Sequence, residues 1–246
     1  MIDLSTFGAE TLFGKLARMP LRILPRSSSV PILQGPLRGA KWIVGSQRHA
    51  FWLGSYEPAL QALMAKTVKR GSIFYDIGAN VGFYSLLASR LVGDGKVYAF
   101  EPLPRNTVFL RQHLALNTVR NVDVIEMAVS DQVGTARFAV EATGAMGHIE
   151  ESGTLQVPST TLDALTEQRR IAPPDYIKMD IEGEEGKALR GAERCLRSSR
   201  PTLLLATHGA EIRRDCCSLL HSWNFATTVI DQQSEDRAEF LAVPVR

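Results

Sequence analysis

Short apolar runs alternate with amphipathic stretches along most of the chain. The runs Ile73 to Asp76, Val97 to Glu101, Asp123 to Met127, Tyr176 to Asp180 and Thr202 to Thr207 have strand length and read as buried strands. Stretches at about 81–91, 105–117, 184–197 and 210–222 carry apolar residues at helical spacing and read as helices. This alternation predicts a parallel sheet with helices on both faces. Two later runs, 225–230 and 239–245, flank the polar DQQSEDRA and predict a hairpin at the sheet edge.

The remaining segments are less regular. Between the third and fourth strands, GTARFAV and GTLQVPSTTLDAL predict an inserted strand pair and a helix starting near Thr161, capped by Ser159 or Thr160. Residues 32–54 mix apolar runs with Gly and Pro and suggest a small irregular β-rich segment before a helix from Glu57 to about Lys69. Near the start, Leu12, Phe13 and Leu16 share a helical face that ends before Pro20, which suits docking on the main domain or a weak peripheral contact with a membrane surface. We read residues 1–50 as an extension serving as acceptor lid or dimer contact, motivated by the aromatics Trp42, Phe51 and Trp52 around its end. Residues 51–246 form the main domain.

Composition narrows the class. With 45% hydrophobic and 22% charged residues the chain is an ordinary globular protein. A formal charge of +2 disfavours nucleic acid as a partner, and the basic excess is local: residues 1–50 hold seven Lys or Arg against Asp3 and Glu10. Cys195, Cys216 and Cys217 suit neither a disulfide framework nor a zinc knuckle. Without a signal-length apolar core or a run of membrane-spanning length, the expected location is the cytoplasm, with no transmembrane segment.

The chemistry concentrates in YDIGANVGFYS at 75–85, where a buried strand turns into a helix. Gly78 and Gly82 permit positive φ and close approach of a ligand, and Asn80 tolerates the left-handed region. Asp76 ends the first strand and Glu101 ends the next, where a carboxylate can accept both hydroxyls of a ribose. An adenosine-bearing cofactor follows. The turn lacks the G-x-G-x-x-G spacing of a dinucleotide site, and its entrance Asp suits a cationic ligand, so S-adenosylmethionine fits better than NAD.

Asp180 ends the fourth strand and His208 follows the fifth, so both face the crevice beyond the sheet's carboxyl edge. His208 can act as a base toward a hydroxyl, with Asp180 orienting it, acting itself or binding a divalent metal together with it. Glu182 is a further candidate, whereas Glu184 and Glu185 start a helix, where the dipole alone favours acidic residues.

GSYEPAL at 54–60, YDIGANVGFYSLLAS at 75–89, VYAFEPLPRN at 97–106, LALN at 114–117, AVSD at 128–131, TTLDAL at 160–165 and YIKMDIEGEEGKALRGA at 176–192 together resemble the FkbM-type S-adenosylmethionine-dependent methyltransferases. The resemblance spans roughly residues 50–210 and implies a class I, Rossmann-like, doubly wound α/β sheet of seven strands with the last antiparallel. It implies that Asp76, Gly78, Asn80 and Gly82 line the methionine part of the cofactor, that Glu101 binds the ribose, that Ala128, Val129 and Ser130 contact the adenine, and that Ala79, Phe83 and Pro102 belong to the same cofactor site. Glu57 reaches the cofactor from upstream, caps a helix or forms a salt bridge. The catalytic candidates are Asp180, which also counts toward the cofactor site, His208 and Glu182. One departure is Ala206 in ATH, where many members carry Glu two residues before the His. The implied reaction is O-methylation of a hydroxyl on a sugar, glycolipid, polyketide or related secondary metabolite. An N-methyltransferase acting on a small-molecule amine and a non-catalytic cofactor-binding module remain alternatives, and the chain is compatible with a homodimer.

Overall fold

The computed structural model describes residues 24–140, 147–149, 155–232, 234 and 237–245. The helix expected around Leu12 lies outside the described residues. Strands β1 (Ser29–Pro31) and β2 (Lys41–Ile43) pair antiparallel, followed by a short helix α1 (His49–Leu53) and by α2 (Pro58–Thr67). Then come β3 (Ile73–Ile77), α3 (Phe83–Val92), β4 (Lys96–Phe100), α4 (Pro104–Leu116) and β5 (Val122–Ile125). An inserted group holds β6 (Ala128–Val129), β7 (Gly134–Val140), β8 (Gly147–Ile149) and β9 (Leu155–Thr160). The chain continues through α5 (Leu162–Glu167), β10 (Tyr176–Met179), α6 (Glu185–Arg190), α7 (Glu193–Ser199), β11 (Thr202–His208), α8 (Ala210–Ser222), β12 (Phe225–Gln232) and β13 (Arg237–Pro244).

The main sheet runs β12-β13-β11-β10-β3-β4-β5. Its neighbours from β11 to β5 are parallel and β13 is antiparallel to both β11 and β12, as expected of a class I methyltransferase sheet. Strand β3 lies centrally and is buried at four of its five positions, which is why it reads as a continuous apolar run rather than an alternation. Successive side chains still point to opposite faces. Phe74 joins a core with Trp42, Phe83, Leu87 and Leu110, while Tyr75 and Ile77 join the other with Ile177, Leu189, Leu205 and Leu220. Among the described residues no helix is long and apolar enough to cross a membrane.

Three local expectations change. The helix expected over 184–197 is two helices, because the Asp163 carboxylate accepts the backbone N–H of Arg194 (3.2 Å) and Cys195 (2.8 Å), satisfying a second helix start. Gly191 between them packs so closely that a Cβ there would lie 2.1 Å from the Ser130 carbonyl. The cap of α5 is Thr161 itself, whose hydroxyl accepts the Ala164 N–H at 3.0 Å, while Ser159 and Thr160 belong to β9. The segment 32–54 contains only the three-residue strand β2 and one helical turn, and the strand that β2 pairs with, β1, precedes it. It is tied to α4 by reciprocal bonds between Lys41 and Asn117 and by the Ile43 N–H to His113 Nε2 at 3.1 Å. Trp42, Phe51 and Trp52 are all buried in this packing, with Trp42 stacked on His113 at 3.8 Å.

Candidate active site

The turn after β3 is held by the neighbouring strand: Gly78 and Ala79 both donate N–H bonds to the Phe100 carbonyl. Gly78 takes φ 79°, and a Cβ there would lie 2.0 Å from the Asp180 carbonyl. Gly82 takes φ 92° with Leu110 in the corresponding position at 2.4 Å. The glycines are therefore demanded by backbone conformation and by β10 and α4 pressing on the turn. Asn80 adopts φ 50°, and its side-chain oxygen accepts the Val81 N–H and the Gln47 amide.

Glu101, buried at the end of β4, accepts the Asn80 N–H on Oε2 at 2.7 Å and the Leu103 N–H and Asn106 amide on Oε1. Burial pushes its carboxyl up to about 7 against the lowering influence of these donors. Three of roughly four lone-pair positions are used, which leaves acceptor capacity on Oε2.

A cleft of about 720 Å³ opens along this edge of the sheet. Of the residues marked by the sequence, Glu57, Gly78, Ala79, Asn80, Phe83, Glu101, Pro102, Ala128, Val129, Asp180 and Glu182 line it. Asp76, Gly82, Ser130 and His208 do not. Asp76 is fully buried beneath the turn, where Oδ2 accepts the Ser85 hydroxyl at 2.6 Å and Oδ1 faces the Lys178 ammonium at 3.9 Å. Burial raises its pKa despite that cation. Asp76 thus supports the turn from below instead of contacting a ligand in the cleft. Ser130 is likewise buried, its N–H bonded to the Thr160 carbonyl in the inserted sheet.

At the other end of the cleft, Asp180 follows β10 and His208 ends β11. His208 Nε2 lies 3.6 Å from Asp180 Oδ1 and 3.4 Å from Glu182 Oε2, and Nδ1 lies 3.1 Å from Glu185 Oε1. Burial alone would depress the imidazole, but the Glu185 hydrogen bond and the Asp180 and Glu182 charges hold it above its usual range. Burial would raise Asp180, yet Lys178 (3.6 Å), His208 and Arg237 bring it below the usual carboxylate range. Glu182 is raised, mainly by burial.

In the sequence Glu185 is marked only as an acid at a helix start. It is fully buried, and its Oε1 also accepts the N–H groups of Ile181 and Gly183, so it shapes the loop that carries Glu182. Its spacing to Ala188 and Leu189, which puts it on the apolar face of α6, is the signal that marks it.

Glu57 precedes Pro58 at the start of α2 with φ 44° and makes no capping bond. Its carboxylate instead accepts the Tyr84 hydroxyl at 2.6 Å and faces Arg237 at 3.8 Å. The salt-bridge reading of Glu57 holds and the capping reading does not. The sequence pattern does not mark Lys178, Arg237 and Glu239, which the fold brings to this site. Lys178 is buried, paired in register with Asp76, and places its ammonium 5.0 Å above the Tyr84 ring. Glu239 lies opposite Ala206 across the β11–β13 ladder, buried, with burial and the nearby Glu57 and Asp180 charges pushing its carboxyl up to about 7. The carboxylate lacking at position 206 has a neighbour on the same face of the sheet.

Residues 76–232 match the Methyltransferase FkbM domain. The chain is 23% identical over 172 residues to the hexuronic acid methyltransferase AglP of Haloferax volcanii, covering 68% of this chain and 69% of that protein. It is 26% identical over 160 residues to the 31-O-demethyl-FK506 methyltransferase FkbM of Streptomyces tacrolimicus, covering 51% and 61%. Among solved structures, the precorrin-6y C5,15-methyltransferase of Geobacter metallireducens superposes with TM-score 0.51 at 16% identity, covering 76% of this chain and 88% of that one, and so bears on the fold alone. With a matched domain that spans more than half its length, on the sheet topology that its strands display, the chain belongs to the FkbM methyltransferase domain family.

Proposed function

We propose that this protein is an S-adenosylmethionine-dependent O-methyltransferase acting on a hydroxyl of a sugar, glycolipid, polyketide or related metabolite. The observation that carries the reading is that the Asn80–Glu101 turn and the Asp180–Glu182 group, with His208 behind it, open on one cleft of about 720 Å³, a size suited to a cofactor and part of an acceptor. S-adenosylmethionine, when bound, supplies a methyl group on a sulfonium centre that accepts the electron pair of the broken S–C bond.

The chain's own residues fit that cofactor. Glu101 offers an acceptor oxygen for ribose hydroxyls, and Ala128 and Val129 offer apolar wall for a base. The carboxylates of Glu57 and Asp180 complement a cationic amino-acid end. An acceptor hydroxyl placed against Asp180 and Glu182 loses its proton to this carboxylate–imidazole group as its oxygen bonds to the methyl carbon. The names of the two relatives, a hexuronic acid methyltransferase and a 31-O-demethyl-FK506 methyltransferase, support a hydroxylated acceptor.

Calorimetric titration with S-adenosylhomocysteine, with NAD as control and Glu101→Ala as a second sample, tests the cofactor. Micromolar binding that Glu101→Ala weakens is expected, and NAD binding instead would overturn the reading. Methyl transfer from labelled S-adenosylmethionine to uronic acids and polyols, compared with amines, then separates O- from N-methylation. A protein that binds cofactor and methylates nothing in either set would favour the binding-module reading.

A further inference from the structure

His208 is turned in a way that proton chemistry alone explains poorly. Glu185 is buried and takes the backbone N–H groups of Ile181 and Gly183 on the same oxygen that faces His208 Nδ1, so that oxygen is an acceptor and Nδ1 carries the proton. In the neutral ring Nε2 then presents a lone pair. That lone pair points at two more acceptors, Asp180 Oδ1 at 3.6 Å and Glu182 Oε2 at 3.4 Å. Both His208 Nε2 and Asp180 Oδ1 are buried without a hydrogen-bond partner. A second ring proton would draw a carboxylate to about 2.8 Å, well inside either separation. Donors that share a metal at about 2.1 Å stand about 3.0–3.5 Å apart, close to the spacing found.

We propose that Asp180, Glu182 and His208 form a binding site for a first-row divalent cation, with Glu185 as the positioning residue that fixes the imidazole. One atom from each of the three residues falls within 4.8 Å of the others, and Asp180 and Glu182 both line the cleft. The remaining Asp180 oxygen faces Lys178 at 3.6 Å, so Oδ1 is the one left for the metal. One imidazole nitrogen with two carboxylate oxygens suits Mn²⁺, Co²⁺ or Zn²⁺ better than Mg²⁺ or Ca²⁺. The bond from Nδ1–H to a carboxylate is the arrangement that raises imidazole basicity toward a metal. The backbone supports the same group: Glu182 takes φ 54°, a left-handed conformation that brings its carboxylate back over His208. If the O-methyltransferase reading holds, on which this last role rests, the open face of the ion receives the acceptor hydroxyl and lowers its pKa, and His208 serves as ligand while a carboxylate takes the proton.

Mn²⁺ titration of the metal-stripped full chain tests the site, read by calorimetry and by pulsed electron paramagnetic resonance. One Mn²⁺ per chain is expected, with nitrogen hyperfine coupling from the imidazole. Glu182→Gln and His208→Gln should weaken it at least ~10-fold, the latter abolishing the nitrogen coupling, and Glu185→Gln should weaken it ~10–100-fold. No binding at about 1 mM metal, binding without nitrogen coupling, or equal affinity in Glu182→Gln would overturn the proposal. S-adenosylhomocysteine titration of the same samples reports separately on the cofactor reading and shows that each variant is folded.

Discussion

The Asn80 backbone N–H donates to Glu101 Oε2 at 2.7 Å, so the left-handed residue of the turn and the carboxylate at the end of the adjacent strand hold one another in place. Removing Glu101 therefore does more than delete a contact to a ligand: it frees the turn. Glu101→Ala should weaken S-adenosylhomocysteine binding by ~10–100-fold, and by more than Asn106→Ala, which removes the 3.3 Å bond from the Asn106 amide but leaves the carboxylate and its bond to Asn80 in place.

The same carboxylate predicts a pH dependence. Its pKa in the fold is about 7 against 4.5 in the unfolded chain, so between these values the folded form holds the extra proton, and Glu101's contribution to stability falls as pH rises through that window. An ionised carboxylate accepts ribose hydroxyls more strongly, so cofactor affinity should rise from pH 6 to pH 8. Isothermal titration across that range checks it; a flat profile would exclude Glu101 as the titrating contact.

His113 titrates with the opposite consequence. It bonds the Val81 carbonyl through Nδ1 at 2.7 Å and accepts the Ile43 N–H through Nε2, and burial lowers its pKa to about 4. The unfolded chain takes up a proton near 6.5, so this stability is full above 6.5 and is lost as pH falls from there toward 4, by up to about 3 kcal/mol. His113→Phe should lower the Tm at pH 7.5, since two buried backbone groups lose partners, yet flatten the decline of Tm between pH 6.5 and 4 relative to the parent.

Lys178 and Asp76 form a buried pair whose halves depend on one another. Lys178→Met should cost about 3–5 kcal/mol by leaving Asp76 and the nearby Asp180 uncompensated, and adding Asp76→Asn should recover the Asp76 part of it. Chemical denaturation of the two single variants and the double variant measures the coupling; strict additivity would refute it.

Glu57 combines strain with a site contact. At φ 44° a glycine relieves about 1 kcal/mol, while loss of the Tyr84 bond costs about as much, so Glu57→Gly should leave the Tm within a few degrees. Methyl transfer should nonetheless fall at least ~10-fold, because Arg237 and Tyr84 lose the carboxylate that orients them. Unchanged turnover would make Glu57 a packing residue.

What the sequence made legible follows sheet geometry. Asp76, Glu101, Asp180 and His208 each close an apolar run, and a parallel sheet brings such ends to one edge whatever their separation along the chain. Depth was not legible. Asp76 and Glu101 look alike as acids near the ends of apolar runs, but the register sets Asp76 inside β3 opposite Ala99, beneath the turn, while Glu101 lies just past β4 and lines the cleft. Glu185 was obscured because the helix dipole already explains an acid there. Arg237 and Glu239 lie beyond a polar loop, and their arrival beside Glu57 and Asp180 depends on the antiparallel register of β13, which no local spacing records.

That register has a consequence for how relatives are compared. Ala206 taken by itself is a missing acid, but Glu239 stands directly across the ladder from it, 33 residues later. In this chain the acid of that rim is set by cross-strand register and not by the residue's own column in the β11 motif. Moving β13 by one residue would turn Glu239 to the opposite face and change the electrostatics of the rim without altering any residue of the matched motifs.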